Sequence, residues 1–266
     1  MEETNIKIEE VIKTLKELKE ENHRLEVENE ELKDVFSKVL QLFNNDKEKF
    51  FNAIKGELIN EISNNKTYKV ANKEYNLIDL GLPSGTLWMD RNVGAEKPED
   101  AGLYFAWGET QGYTADEVGK AKKFSWDDYK FGKEDSFIKY NSNDGLIKLD
   151  TKDDAVLQNT HKFKMPLYKQ IRELIDNTTS VWITQNGVNG RLFTSKTNGN
   201  SIFVPATGFA GNGSLGSIGA FCGLWGSSLC EGDTNKAWYF SYSSVFTNIS
   251  DYGRCGGLPV RGISTI

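Results

Sequence analysis

Apolar residues in the opening part of the chain recur on a seven-residue period. With Ile8, Leu15, Phe36, Phe43 and Phe50 at position a, Val11, Leu18, Leu25, Leu32 and Val39 fall at d. A seam repeating every 3.5 residues is buried most directly against copies of itself, so the spacing predicts a long parallel coiled coil over residues 1–43. Asn22 and Asn29 also fall at a, where a buried amide needs a partner on the facing helix and fixes register. The asparagines favour two strands and the phenylalanines do not, leaving dimer and trimer open. The helical pattern runs on through Phe51, Ile54, Leu58 and Ile62 as a neck and linker over 44–66, and breaks at Ser63-Asn64-Asn65-Lys66.

Beyond the break the period changes. Short alternating runs are punctuated by Pro83-Ser84-Gly85, Asn186-Gly187, Asn189-Gly190 and Asn198-Gly199, the chemistry of turns between strands. One amphipathic helix is expected after Pro166, with Leu167, Ile171, Leu174 and Ile175 as its apolar stripe. Residues 187–205 read as a hairpin or meander. The pattern as a whole predicts an α+β domain over 67–266 preceded by the long coiled coil.

Charge and chemistry narrow the function classes. With 32 Lys and Arg against 38 Asp and Glu, the net charge is -6 and the basic residues are interspersed with acids, which argues against a phosphate-binding face. No apolar run is long enough for a membrane span, and the charged start, Met1 to Glu10, carries no secretory signal, so export and membrane insertion are not expected. Cys222, Cys230 and Cys255 are odd in number without CxxC spacing, which implies neither a disulfide framework nor zinc. Only two histidines, His23 and His161, are present, and the acidic pairs Asp127-Asp128 and Asp153-Asp154 fall far short of a calcium shell. The Gly211 to Gly216 run fits a nucleophile elbow only when its spacing is forced. No catalytic residue, no metal and no cofactor are expected, and the chain reads as a binding protein and not an enzyme.

Several separated motifs occur in order: Ile78-Asp79-Leu80-Gly81-Leu82-Pro83-Ser84-Gly85-Thr86-Leu87-Trp88, Asn92-Val93-Gly94-Ala95, Tyr104-Phe105-Ala106-Trp107-Gly108-Glu109-Thr110, Met165-Pro166, Asn198-Gly199-Asn200-Ser201-Ile202-Phe203, Trp225-Gly226-Ser227-Ser228 and Arg254-Cys255-Gly256-Gly257 with Val260-Arg261. Together they resemble the major paralogous domain of gut anaerobes, a C-type-lectin-like fold related to the formylglycine-generating enzyme. The resemblance implies a domain whose last strands and loops display a binding surface. Joined to a coiled coil and lacking a signal, it is similar to a phage fibre or receptor-binding protein, assembled in the host cytoplasm and carried on the virion. The implied partners are a host-surface glycan or protein, further copies of the chain, and other virion proteins at the N-terminus. A purely structural decoration protein and an enzyme relative are the competing readings.

The C-terminal stretch says where the ligand would bind. From Tyr239 to Ile266 there is no Lys, Glu, Gln, Met or Trp. No codon ending in C or T encodes those five, a bias that resembles the variable segments of retroelement-diversified lectin-fold proteins; the plainer explanation is that a glycine-rich, partly buried β segment disfavours long charged side chains. Tyr, Ser and Gly with a few large aromatics is also the composition of antibody-like loops. The candidate ligand-binding residues are Tyr239, Ser241, Ser243, Phe246, Asn248, Ser250, Asp251 and Tyr252. Strand alternation adds a condition: if Trp238, Phe240 and Tyr242 face the core, Tyr239, Ser241 and Ser243 face outward. Trp88, Trp107, Trp225 and Trp238 are expected in the scaffold.

Overall fold

A computed structural model of the chain describes residues 75–265. The expected stalk (1–43) and neck (44–66) lie outside the described residues. The chain divides into two units, Met1–Lys69 and Val70–Ile266, and the described residues all belong to the second.

Its strands run in chain order as β1 (Leu77–Asp79), β2 (Leu87–Met89), β3 (Tyr104–Phe105), β4 (Gly132–Lys133), β5 (Ser136–Phe137), β6 (Thr178–Gln185), β7 (Val188–Ser195) and β8 (Ser201–Pro205). They continue as β9 (Phe209–Gly211), β10 (Ser214–Gly216), β11 (Phe221–Leu229), β12 (Lys236–Ser243), β13 (Thr247–Gly253), β14 (Leu258–Pro259) and β15 (Ile263–Ser264). Three α-helices accompany them: α1 (Ala115–Ala121), α2 (Ala155–Thr160) and α3 (Tyr168–Asn177).

The expectation of an α+β class with a long coiled coil is overturned. Strand makes up 38% of the structure against 14% helix, and no long coiled-coil helix is present among the described residues. The physical reason is local. Between Tyr75 and Thr265 glycines and asparagines interrupt the sequence too often for extended helices, and the longest, α3, has ten residues. Its stripe matches the expectation, with Ile171 and Leu174 fully buried. It begins one residue later than Leu167, whose backbone N–H donates to Gln170 Oε1 at 2.8 Å.

Two three-stranded antiparallel sheets, β6-β7-β8 and β11-β12-β13, carry the candidate surface. The second sheet is packed on both sides. Along β12, Ala237 and Tyr239 enter one core with Trp225, Trp107 and Leu258, while Phe240 and Tyr242 enter another with Phe193, Ile171 and Leu224. This is strand alternation with apolar partners on each face. Trp107 and Trp225 lock the first core reciprocally: Trp107 Nε1 donates to Gly226 O on β11 and Trp225 Nε1 donates to Phe105 O on β3, both at 2.9 Å. A buried indole N–H left without an acceptor would be costly, so each ring also aligns the opposite strand.

The motif residues outside the surface have structural partners. Ser84 donates from its backbone N and its Oγ to the two carboxylate oxygens of Glu173 on α3, at 2.8 and 2.6 Å. Arg261, fully buried, donates to Asn92 Oδ1 at 2.9 Å and Phe203 O at 2.8 Å, which ties the terminal Val260-Arg261 segment to the Asn92-Val93 motif.

Candidate binding surface

Strand register sorts the candidate residues onto faces. Phe221 pairs with Ser243; Gly223, Ser241 and Asn248 form one cross-strand row; Trp225, Tyr239 and Ser250 form the next; Ala237 pairs with Tyr252. Directly paired residues share a face, so Tyr239, Ser241, Ser243, Asn248, Ser250 and Tyr252 lie on the same side of β11-β12-β13. Phe246 joins them, its ring centroid 6.4 Å from that of Phe221. Asp251 does not. It pairs with Trp238 on the other face and forms an ion pair with Lys236 at 3.1 Å.

The outward placement of Tyr239 and Ser241 is also corrected, since both are buried. The alternation is real, but each face of β12 meets a core. Tyr239 lies over Gly223, where an added Cβ would come within 2.6 Å of the ring, and stands 6.1 Å from both Trp225 and Tyr252. Exposure rises toward the other end of the face. Ser243, Ser250 and Tyr252 are half-buried and Phe246 and Asn248 are exposed. Phe209 extends the aromatic row, 6.1 Å from Phe221 and 6.0 Å from Tyr252.

Two loops close this end of the sheet. Residues 217–220 lead into β11, and Ser244-Val245 form the tip between β12 and β13. They hold large apolar side chains in solvent: Ile218 is 63% exposed and Val245 84%. Neither loop is left loose, and both anchors come from β7. Asn189 Nδ2 donates to Gly219 O at 3.0 Å, and Arg191, two residues on, donates through Nε to Ser243 O at 2.8 Å and through Nη2 to Ser244 O at 3.2 Å. The Arg191 Nη1 also donates to Ser180 Oγ on β6 at 2.8 Å. Burial lowers the pKa of this guanidinium, and among the described residues no carboxylate pairs with it. Its charge is satisfied by carbonyl and hydroxyl oxygens, so its hydrogen bonds to the loop are charge-assisted and strong.

Ile218, Val245, Asn189 and Arg191 are absent from the sequence-based set. Arg191 carried a readable signal, because it shares strand parity with Phe193 and Ser195, both buried, so an arginine there points inward. The aliphatic tips carried none.

Elsewhere the chemistry is quiet. All three cysteines are free; burial raises the Cys222 thiol and pushes Cys255 up to about 12, which leaves both protonated at neutral pH. Exposed His161 caps α2 in a left-handed conformation, and the Gly211 to Gly216 run forms the β9-β10 hairpin. Among the described residues no group of three or more His, Cys, Asp or Glu is placed to hold a metal ion. No family model, curated protein or solved structure matches the chain.

Proposed function

We propose that this unit is a receptor-binding domain whose ligand meets the end of the β11-β12-β13 face formed by Ile218, Phe221, Val245, Phe246 and Asn248. One observation carries the reading. Two loops hold large apolar side chains in water while two polar side chains of one strand, half-buried Asn189 and buried Arg191, fix their backbones, so little ordering entropy is lost when a partner covers them. The motif resemblance supplies the setting, a phage virion adhering to its host. Between the two ligand classes, the aliphatic tips favour a protein receptor. Ile218 and Val245 complement an apolar pocket, whereas sugar recognition relies on flat aromatic faces flanked by hydrogen-bonding groups.

The test is saturable binding of the full-length protein to intact cells of a panel of gut anaerobes, with V245A/F246A as the variant. Val245 is almost fully exposed and Phe246 keeps only its ring contact with Phe221, so stability should fall by no more than about 1 kcal/mol, while affinity falls about tenfold or more, as for a central apolar anchor. Protease treatment of the cells should abolish binding and periodate should spare it; the reverse identifies a glycan. Binding by the variant equal to that of the parent rejects this surface.

A further inference from the structure

Strand β6 is an edge of a different kind from the others. It pairs with β7 at all eight positions without a shift, and its outer side has no partner strand among the described residues. Such an edge presents a row of N–H and C=O groups that no strand pairs, which proteins ordinarily guard with charge, proline, a bulge or a covering segment; here Ser180 O receives only a long hydrogen bond, 3.4 Å, from Arg191 Nη1. The other long edges are guarded. β11 is irregular between Trp225 and Leu229, β13 carries Asp251, and β8 ends on Pro205. β6 reads Thr178-Thr179-Ser180-Val181-Trp182-Ile183-Thr184-Gln185, with no charge, proline or glycine and five β-branched residues in eight. Val181 stands 54% exposed on its outer face, beside half-buried Leu192.

We propose that β6 pairs antiparallel with β6 of a second copy of this chain, joining two three-stranded sheets into one of six. A two-fold axis through the sheet keeps each face continuous, so every residue meets one of its own parity. An axis at Trp182 places it against the partner's Trp182, Val181 against the partner's Ile183, and Thr179 against the partner's Gln185. An axis at Val181 would instead set Trp182 against a serine and Ile183 against a threonine. The first register forms the better aromatic and β-branched pairs. No like charges meet along it. Glu99, which accepts from Asn186 Nδ2 at 2.5 Å, sits at the Gln185 end, and the axis sends its two copies to opposite ends of the joined strands.

This interface is independent of the receptor reading and is tested separately on the full-length chain. Light scattering after size exclusion at high protein concentration should give a mass about twice that of V181K, a lysine at an exposed edge position being a natural guard. Near-UV circular dichroism confirms that V181K is folded, and T179K, a second exposed position, should act in the same direction. Hydrogen exchange over 178–185 should slow as the parent is concentrated and stay fast in V181K. Equal masses together with equal hydrogen exchange over 178–185 in the parent and V181K overturn the proposal. So does protection of 178–185 that ignores concentration, which would mean that another part of the same chain covers the edge.

Discussion

The β6-β7 and β12-β13 hairpins have equally short tips and opposite origins. Asn186 and Gly187 sit at φ +48° and +83°, the left-handed pair that matches the twist of the flanking strands, and they set the turn by themselves. Ser244 and Val245 have no positive φ, and their hairpin closes through Ser243 N to Phe246 O at 3.0 Å with Arg191 holding the carbonyls of Ser243 and Ser244. One turn is dictated by its own residues and the other by a side chain 52 positions away. A tip held from below is free to vary in what it shows to solvent, which is the property a binding loop needs.

The segment from Tyr129 to Asp154 extends the second kind of control and is where the largest effect is expected. Asp153 accepts from Lys130 Nζ at 2.7 Å, Lys139 Nζ at 2.6 Å and Tyr140 Oη at 2.7 Å, while fully buried Arg254 donates to Tyr140 O at 2.6 Å. Burial raises the Asp153 carboxyl, but these hydrogen bonds outweigh it and hold the pKa below its ordinary 3.8. A depressed folded pKa contributes stability above the unfolded carboxylate's pKa and loses it as pH falls through the folded value. D153N should therefore lower stability by about 3 kcal/mol at pH 7, and the deficit against the parent should shrink below about pH 4. Urea unfolding at both pH values checks this; a deficit independent of pH breaks the assignment.

Next in size is R191A. It removes the hydrogen bonds to both loop carbonyls and to Ser180, with an expected loss of about 2 kcal/mol, tempered because the tip can recruit water. Receptor binding should fall further than stability explains, since the Val245 tip loses its fixed position. A variant with parental affinity at a temperature where it is folded separates Arg191 from the site.

These contrasts explain what was legible. The Asn186-Gly187 turn, the α3 stripe and the shared face of Tyr239, Ser241 and Ser243 follow from local rules, and the first two are found where periodicity puts them. Alternation assigns residues to two faces but not to solvent or core. Tyr239 is buried because Trp225 and Tyr252 arrive from neighbouring strands. Asp251 was grouped with the site by its neighbours in sequence, although one position of parity sends it to the other face. Val245 and Ile218 have no turn signature, and what makes them a surface is a set of three hydrogen bonds from β7.

A smaller effect tests the locally set hairpin. Gly187 has open space around its missing Cβ, so G187A costs only the left-handed backbone, about 1 kcal/mol by thermal unfolding. Receptor binding should be unchanged. A loss of binding would mean that the Asn186-Gly187 tip also contacts the ligand or positions Asn189.

The smallest change is the sharpest. Replacing the tip with the self-sufficient pair, S244N/V245G, should alter stability by less than about 0.5 kcal/mol, because the left-handed turn it favours closes the hairpin by itself but differs from the backbone of Ser244 and Val245, so a gain in turn propensity is offset by hydrogen bonds weakened at Arg191. Its value lies in combination with R191A. If Arg191 acts by holding the hairpin, the combined variant should recover about 1 kcal/mol of the R191A loss, a coupling that a cycle of urea unfolding curves resolves. If nothing is recovered, Arg191 stabilises the protein through Ser180 on β6, and the two hairpins do not differ in the way their backbones suggest.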